Sequence, residues 1–154
     1  MTRILALVLL LSGLSVSAGA EEISGTARAV DGDTLRVGDQ VIRLMGVDAP
    51  ALKQVCHTKK DRPYPCGATA ARELMRMVGG RKVVCTGTER DAEGRLVARC
   101  LLNGIDIGRL MVVNGWALAH GDGSEAYARV QYAAEQLREG MWKGKFTNPW
   151  EWRP

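Results

Sequence analysis

Little in this 154-residue sequence would hold a soft metal. It has two histidines, and its four cysteines include no Cys-x-x-Cys pair, which argues against a zinc site. Long apolar runs are scarce as well. The run from Ile4 to Leu14 falls short of the roughly 20 residues a spanning helix needs, and nothing after it comes closer. Low-complexity tracts and internal repeats are absent, so neither a disordered segment nor a repeat array is indicated. Charge of one sign is also in short supply. Twenty-one Lys and Arg against 17 Asp and Glu leave +4, an excess that favours polyanionic partners only weakly.

What is present begins with Met1-Thr2-Arg3, the apolar run, and a stretch of small residues ending Ala18-Gly19-Ala20. A basic start, an apolar middle and an Ala-x-Ala-like end make residues 1–20 a secretory signal peptide. No lipid-attachment cysteine follows it. The expected mature chain is then residues 21–154, one domain with a modest core, carrying +3 once Arg3 is lost. Periplasmic or secreted localisation is expected, with no lasting membrane association, and so is a monomer.

Four cysteines in an exported chain suggest two disulfides, with three possible connectivities. Residues 81–88 and 95–102 read as strands, and Asp91-Ala92-Glu93-Gly94 between them is a turn signature. If Asp91 pairs with Gly94, Cys85 stands directly opposite Cys100, within disulfide reach. Cys56 and Cys66 then close the loop around His57, Lys59, Lys60 and Pro63.

Residues 68–78 read as a helix with Ala71, Leu74, Met75 and Val78 on its buried face and Gly79-Gly80 as the stop. A second helix is predicted over 107–113, with Asp106 as N-cap and Asn114-Gly115 at its end. A third runs from Ser124 to about Glu139, before Gly140. The aromatics of the tail, from Trp142 and Phe146 to Trp150 and Trp152, are expected to pack on the body. Strands first and strands interleaved with helices later make an α+β domain.

The segment from Asp31 to Pro50 carries the chemistry. Leu35 and Val37 alternate with Thr34 and Arg36, and Ile42 and Leu44 flank Arg43, the period-2 pattern of half-buried strands. A break at Gly38-Asp39 makes them a hairpin. Asp33 opens the first run and Asp48 closes the second, so antiparallel pairing puts both acids at one end of the ladder. Two carboxylates held together repel unless a cation sits between them.

Val30-Asp31-Gly32-Asp33-Thr34, Ile42-Arg43-Leu44-Met45-Gly46-Val47-Asp48-Ala49-Pro50, Tyr64-Pro65-Cys66-Gly67 and Asp91-Ala92-Glu93-Gly94-Arg95 together resemble the successive motifs of the staphylococcal nuclease family, in order and over nearly all of the mature chain. The resemblance implies an OB-type five-stranded β-barrel with about three packed helices, and a Ca2+-dependent phosphodiesterase site acting on DNA or RNA. It implies Asp33 and Asp48 as metal-binding carboxylates and Ala49 as a backbone carbonyl ligand. Asp31 matches an outer acid near the ion, and Arg43 and Arg95 match the arginines that hold the reacting phosphate. Guanidinium forks suit that role because they match the equatorial oxygens of a phosphoryl group. Taken singly, each residue has a plainer use: Asp33 and Asp31 as turn residues, Arg95 as ordinary hairpin chemistry.

One position departs from the family. Where its motif continues through Pro to a glutamate that activates water, this chain has Ala51, which has no proton acceptor. Loss of a positioned base costs about 10² to 10⁴ in rate. His57, in the following loop, is a weak candidate substitute, and His120 is given no role. Lys53, Lys59, Lys60 and Arg62 form a basic loop that, taken together, could follow a nucleic-acid backbone. Reduced nuclease activity and nucleic-acid binding without catalysis both remain open readings.

Overall fold

The computed structural model describes residues 19–152, so the expected signal peptide lies outside the described residues apart from Gly19 and Ala20. Its strands are β1 (Glu21–Ala29), β2 (Thr34–Val37), β3 (Gln40–Leu44), β4 (Val47–Asp48), β5 (Cys56–His57), β6 (Pro63–Tyr64), β7 (Lys82–Arg90), β8 (Leu96–Leu102), β9 (Ile105–Asp106) and β10 (Leu118–Ala119). The helices are α1 (Cys66–Val78), α2 (Ile107–Val113), α3 (Ala128–Gln136) and α4 (Pro149–Trp152). Strands β3-β2-β1-β7-β8 pair in that order, and a parallel pairing of β3 with β8 closes them into a five-stranded mixed barrel, with β9 added at the edge of β8. The α+β, OB-like fold expected from the sequence is the fold observed.

Alternation explains the barrel lining. Leu35 and Val37 of β2, Ile42 and Leu44 of β3, Val83 and Cys85 of β7, and Leu96, Ala98 and Cys100 of β8 all point inward and are buried. Helix α1 closes over this core with Ala70, Leu74 and Val78. The predicted face was one position out at its start. Ala70 is buried and Ala71 only half-buried, and Met75 is 39% exposed, because the helix meets the barrel along the Ala70-Leu74-Val78 row at i, i+4 spacing.

Helix α2 has the predicted bounds, with the Asp106 side chain accepting from the N–H of Arg109 at 3.1 Å. The third helix is shorter than expected: Ser124–Tyr127 is a 3-10 turn, and regular helix covers only Ala128–Gln136. Of the tail aromatics, Trp142, Phe146 and Trp150 pack on the body as anticipated, whereas Trp152 stays exposed. Met141 is fully buried beside Trp116, Trp142, Phe146 and Trp150.

Both disulfides form as the hairpin geometry predicted, Cys56 with Cys66 and Cys85 with Cys100. The turn nevertheless differs from the one assumed. Asp91 pairs with Arg95 rather than Gly94, and a bulge at Thr88 absorbs the extra residue, restoring the register that sets Cys85 opposite Cys100.

Candidate phosphodiesterase site

Hairpin β2–β3 pairs Thr34 with Arg43, and the N–H of Leu44 donates to the carbonyl of Asp33 at 2.8 Å. Asp33 therefore sits at the open end of the hairpin, as predicted. The second run is not one continuous strand. The chain turns at Gly46, whose φ of +73° is open to glycine at low cost, and β4 leaves to pair with β10. This turn carries Asp48 back towards Arg43.

The two acids converge on that arginine. Arg43 Nη2 donates to Asp48 Oδ1 at 2.9 Å, and Nη1 lies 3.3 Å from Asp33 Oδ1. Nη1 also donates to the carbonyl of Val47 at 2.8 Å and that of Leu44 at 3.2 Å. Both acids are almost wholly buried, at 3% and 2% exposure. Burial pushes the Asp33 carboxyl up to about 7; Arg43 and the Ala49 N–H pull the other way but do not outweigh it.

Asp33 is further held by the Ala49 N–H, which donates to Oδ2 at 2.6 Å, and by the Thr34 hydroxyl at 3.1 Å. Asp31 accepts from the Asp33 N–H at 3.0 Å, so it supports the turn while also lining the cavity described below. Close packing makes this possible. A Cβ on Gly32 would stand 2.6 Å from Ala49 Cβ and 2.8 Å from Ala70 Cβ, so the loop between the acids rests directly on helix α1.

Arg95 arrives just before the start of β8, the strand next to β3. Parallel pairing sets Arg43 beside Val97, and Arg95 lies two residues before it at the same end. Its Nε donates to Asp91 Oδ2 at 2.6 Å, and its N–H to Asp91 Oδ1 at 2.9 Å. Asp91 feels some burial that would raise it, but its bonds to Arg95 prevail and hold the carboxyl below the ordinary range. Asp91 was read from sequence only as a turn residue; its place four residues before Arg95 was the available signal for this second use.

One cavity of about 310 Å³ gathers these groups: Asp31, Asp33, Arg43 and Arg95 line it, and so do Ala51 and Glu93. Glu93 was missed from sequence, and its carboxylate stands 3.4 Å from Arg95 Nη2. Asp48 and Ala49 reach the group through Arg43 and Asp33. On the other side of Arg43 and Arg95 a second opening of about 520 Å³ includes His120 and Asp122. His120 also stacks on Trp150, with ring centroids 4.0 Å apart. His57 is elsewhere, in β5 with its backbone paired to Lys145.

The donor chemistry is of the kind a hard cation prefers: Asp31, Asp33 and Asp48 bring carboxylate oxygens, while Arg43 and Arg95 bring two guanidinium groups to the same place. All of the side-chain donors are oxygen. Among the described residues no group of three or more His, Cys, Asp or Glu is placed to hold a metal ion, so backbone carbonyl, water or substrate oxygens would have to supply most of the coordination.

Comparison with known proteins agrees with this geometry. Residues 41–144 match the family described as staphylococcal nuclease homologue. The chain is 32% identical over 148 residues to the succinoglycan biosynthesis protein ExoI of Rhizobium meliloti (strain 1021), covering 94% of this chain and 78% of that protein. It is 31% identical over 115 residues to the staphylococcal-like nuclease CAN1 of Arabidopsis thaliana, and 30% identical over 115 residues to the probable staphylococcal-like nuclease CAN3 of Oryza sativa subsp. japonica. Each plant alignment covers 73% of this chain but only 32% and 28% of those relatives, so the chain spans less than a third of their length. A barrel closed by β3 and β8, with Arg43 paired to two buried acids and Arg95 lining the same cavity, and a family match across most of the chain lead to one assignment: the chain belongs to the staphylococcal nuclease family.

Proposed function

We propose that this protein is an exported, calcium-dependent nuclease that hydrolyses phosphodiester bonds of DNA or RNA, with turnover reduced by Ala51. The observation that carries the reading is the cavity in which Arg43, ion-paired to buried Asp33 and Asp48, faces Arg95. A phosphate entering it meets guanidinium groups from two walls, and negative charge building on its oxygens is stabilised from both. Asp91 keeps Arg95 in one orientation, so little reorganisation is needed when charge develops. Asp33, Asp48 and the Ala49 carbonyl would hold the calcium ion, with Asp31 orienting Asp33 from behind. When bound, the ion polarises a phosphoryl oxygen and lowers the pKa of a water beside it. Export is supported by the two disulfides, which persist in oxidising compartments. Among the described residues no helix is long and apolar enough to cross a membrane.

Ala51 favours a second reading, in which the same clamp binds nucleic acid without cutting it. Its methyl group lies on the cavity wall, where a proton acceptor would be useful. Release of acid-soluble nucleotide, measured with calcium and with chelator for the wild type and Ala51→Glu, separates the two. The nuclease reading expects slow calcium-dependent release, accelerated about 10²-fold or more by the glutamate. No calcium dependence in either protein removes it, and salt-sensitive binding without cleavage then leaves the second reading in place.

A further inference from the structure

Two openings on the tail side share Lys59, Lys143 and Gly144 and so form one groove, with volumes of about 490 and 440 Å³. Arg138 and Lys145 add to its rim, giving four exposed cations. Lys145 pairs with Asp61 at 3.2 Å, but both side chains are 72% exposed and the pair is worth little. Among the described residues no carboxylate lies within ion-pair distance of Lys59, Arg138 or Lys143. Glu135 is the one acid on the wall among the described residues. Half-buried aromatic side chains line it between the charges: Trp142 in one opening, Tyr64 and Trp116 in the other.

We infer that this groove is a second nucleic-acid site, taking the phosphate backbone of a single strand on its cations and unstacked bases on its aromatic rings. Interleaved cations and aromatic faces are what sequence-tolerant single-strand binding requires, since every base has a π-face and every nucleotide a charge. Of the basic loop noted in the sequence, Lys59 takes part here, joined by cations about eighty residues later in the chain. The choice of nucleic acid over another polyanion rests on the proposed function.

The groove is held at a set distance from the cavity of Arg43. Ala51 and Leu52 line that cavity and Lys59 lines the groove, so about eight residues separate them, at most about 29 Å of extended chain. This segment is tied down. Gln54 Nε2 donates to the carbonyl of Thr147 at 2.8 Å, His57 and Lys145 exchange backbone hydrogen bonds at 2.9 and 2.8 Å, and Cys56 is joined to Cys66. At about 3.4 Å or more per nucleotide, no more than about nine nucleotides bridge that distance.

The test uses the full mature protein and a fluorescent 12-nucleotide single-stranded DNA, with binding read by anisotropy in chelator so that nothing is cut. Arg138→Ala/Lys143→Ala is compared with the charge-keeping Arg138→Lys/Lys143→Arg. Each phosphate contact on a single strand contributes about 0.7 to the slope of log K against log salt. The double alanine variant should therefore lower the slope by about 1.4 and the affinity at 0.1 M salt by about 25-fold. The charge-keeping variant should bind like the wild type. Hydrolysis of bis(p-nitrophenyl) phosphate, too small to reach the groove, should be equal in all three. If the enzyme reading fails, that last arm shows no turnover while the binding arms still report on the groove. Unchanged affinity and slope in the double alanine variant overturn the inference. So does tighter, equally Arg138- and Lys143-dependent binding of heparin, which would make the groove a site for anionic polysaccharide.

Discussion

Arg43→Met isolates what the central arginine does. Methionine keeps much of the volume of the side chain but none of its donors, so it leaves Asp33 and Asp48 buried at 3% and 2% exposure without their guanidinium. Breaking a buried ion pair by removing one partner costs about 3–5 kcal/mol. The lower half of that range applies here, because Arg43 retains 18% side-chain exposure and water can relieve part of the loss. Against a total stability of about 5–15 kcal/mol, a loss of about 3 kcal/mol is readily measured by urea denaturation.

Its pH dependence follows from Asp33. That carboxyl is already raised from 3.8 to about 7, so between those values the native state binds more protons than the unfolded chain and stability falls as pH rises. Without Arg43 the same window extends upward. The gap between variant and wild type should therefore be small near pH 4 and largest near pH 8. Calcium should stabilise whichever of the two proteins binds it by about 2.7 kcal/mol at a hundredfold excess over its Kd. Asp48→Asn in the Arg43→Met background should recover part of the gap, by removing one orphaned charge. A loss below about 1 kcal/mol, or an equal loss at pH 4 and pH 8, would refute the claim that Arg43 neutralises these acids.

Gly67→Ala should destabilise by about 3 kcal/mol or more, because the new methyl would meet the Ala51 carbonyl, a backbone atom of the site loop; thermal unfolding with and without calcium reads both effects. Tyr127 donates to Asp106 at 3.0 Å, and burial followed by the Asp106 charge pushes its hydroxyl from 10.0 up to about 12. Its contribution should be complete below pH 10 and fade as pH climbs to about 12; Tyr127→Phe should flatten that alkaline decline in urea titrations. Replacing Cys85 and Cys100 with alanine opens a 15-residue separation and should cost about 3 kcal/mol, read as a lower urea midpoint.

Some of the molecule could be read directly from local pattern. Alternation around Arg36 and Arg43 specified the β2–β3 hairpin, and the Asp106 and Asn114-Gly115 signals bounded α2 correctly. The Cys85–Cys100 pairing was legible too, although the bulge at Thr88 had to compensate for a longer turn. Strand β1 was not foreseen. Its residues are mostly exposed, with Ala27 alone fully buried, so its alternation carries little apolar contrast, yet it pairs with both β2 and β7. The break at Gly46 was hidden for a different reason: apart from Arg43, Val41 to Val47 stays apolar through a turn that only a positive φ reveals. Lys59 looked like part of an isolated basic loop, since nothing in its neighbourhood signals cations about eighty residues away.

Local residue order by itself determined the β2–β3 hairpin, helix α2, the cysteine pairing and the motifs that mark the family, because each depends on neighbours or on a single hairpin. Tertiary structure alone decided that Arg43 lies between Asp33 and Asp48, that Arg95 and Glu93 share their cavity, and that tail cations complete a groove with Lys59. Those meetings require closure of β3 against β8 and docking of the tail on the 54–57 segment. They are contacts between residues far apart in the chain, whose cost and gain no short window of sequence contains.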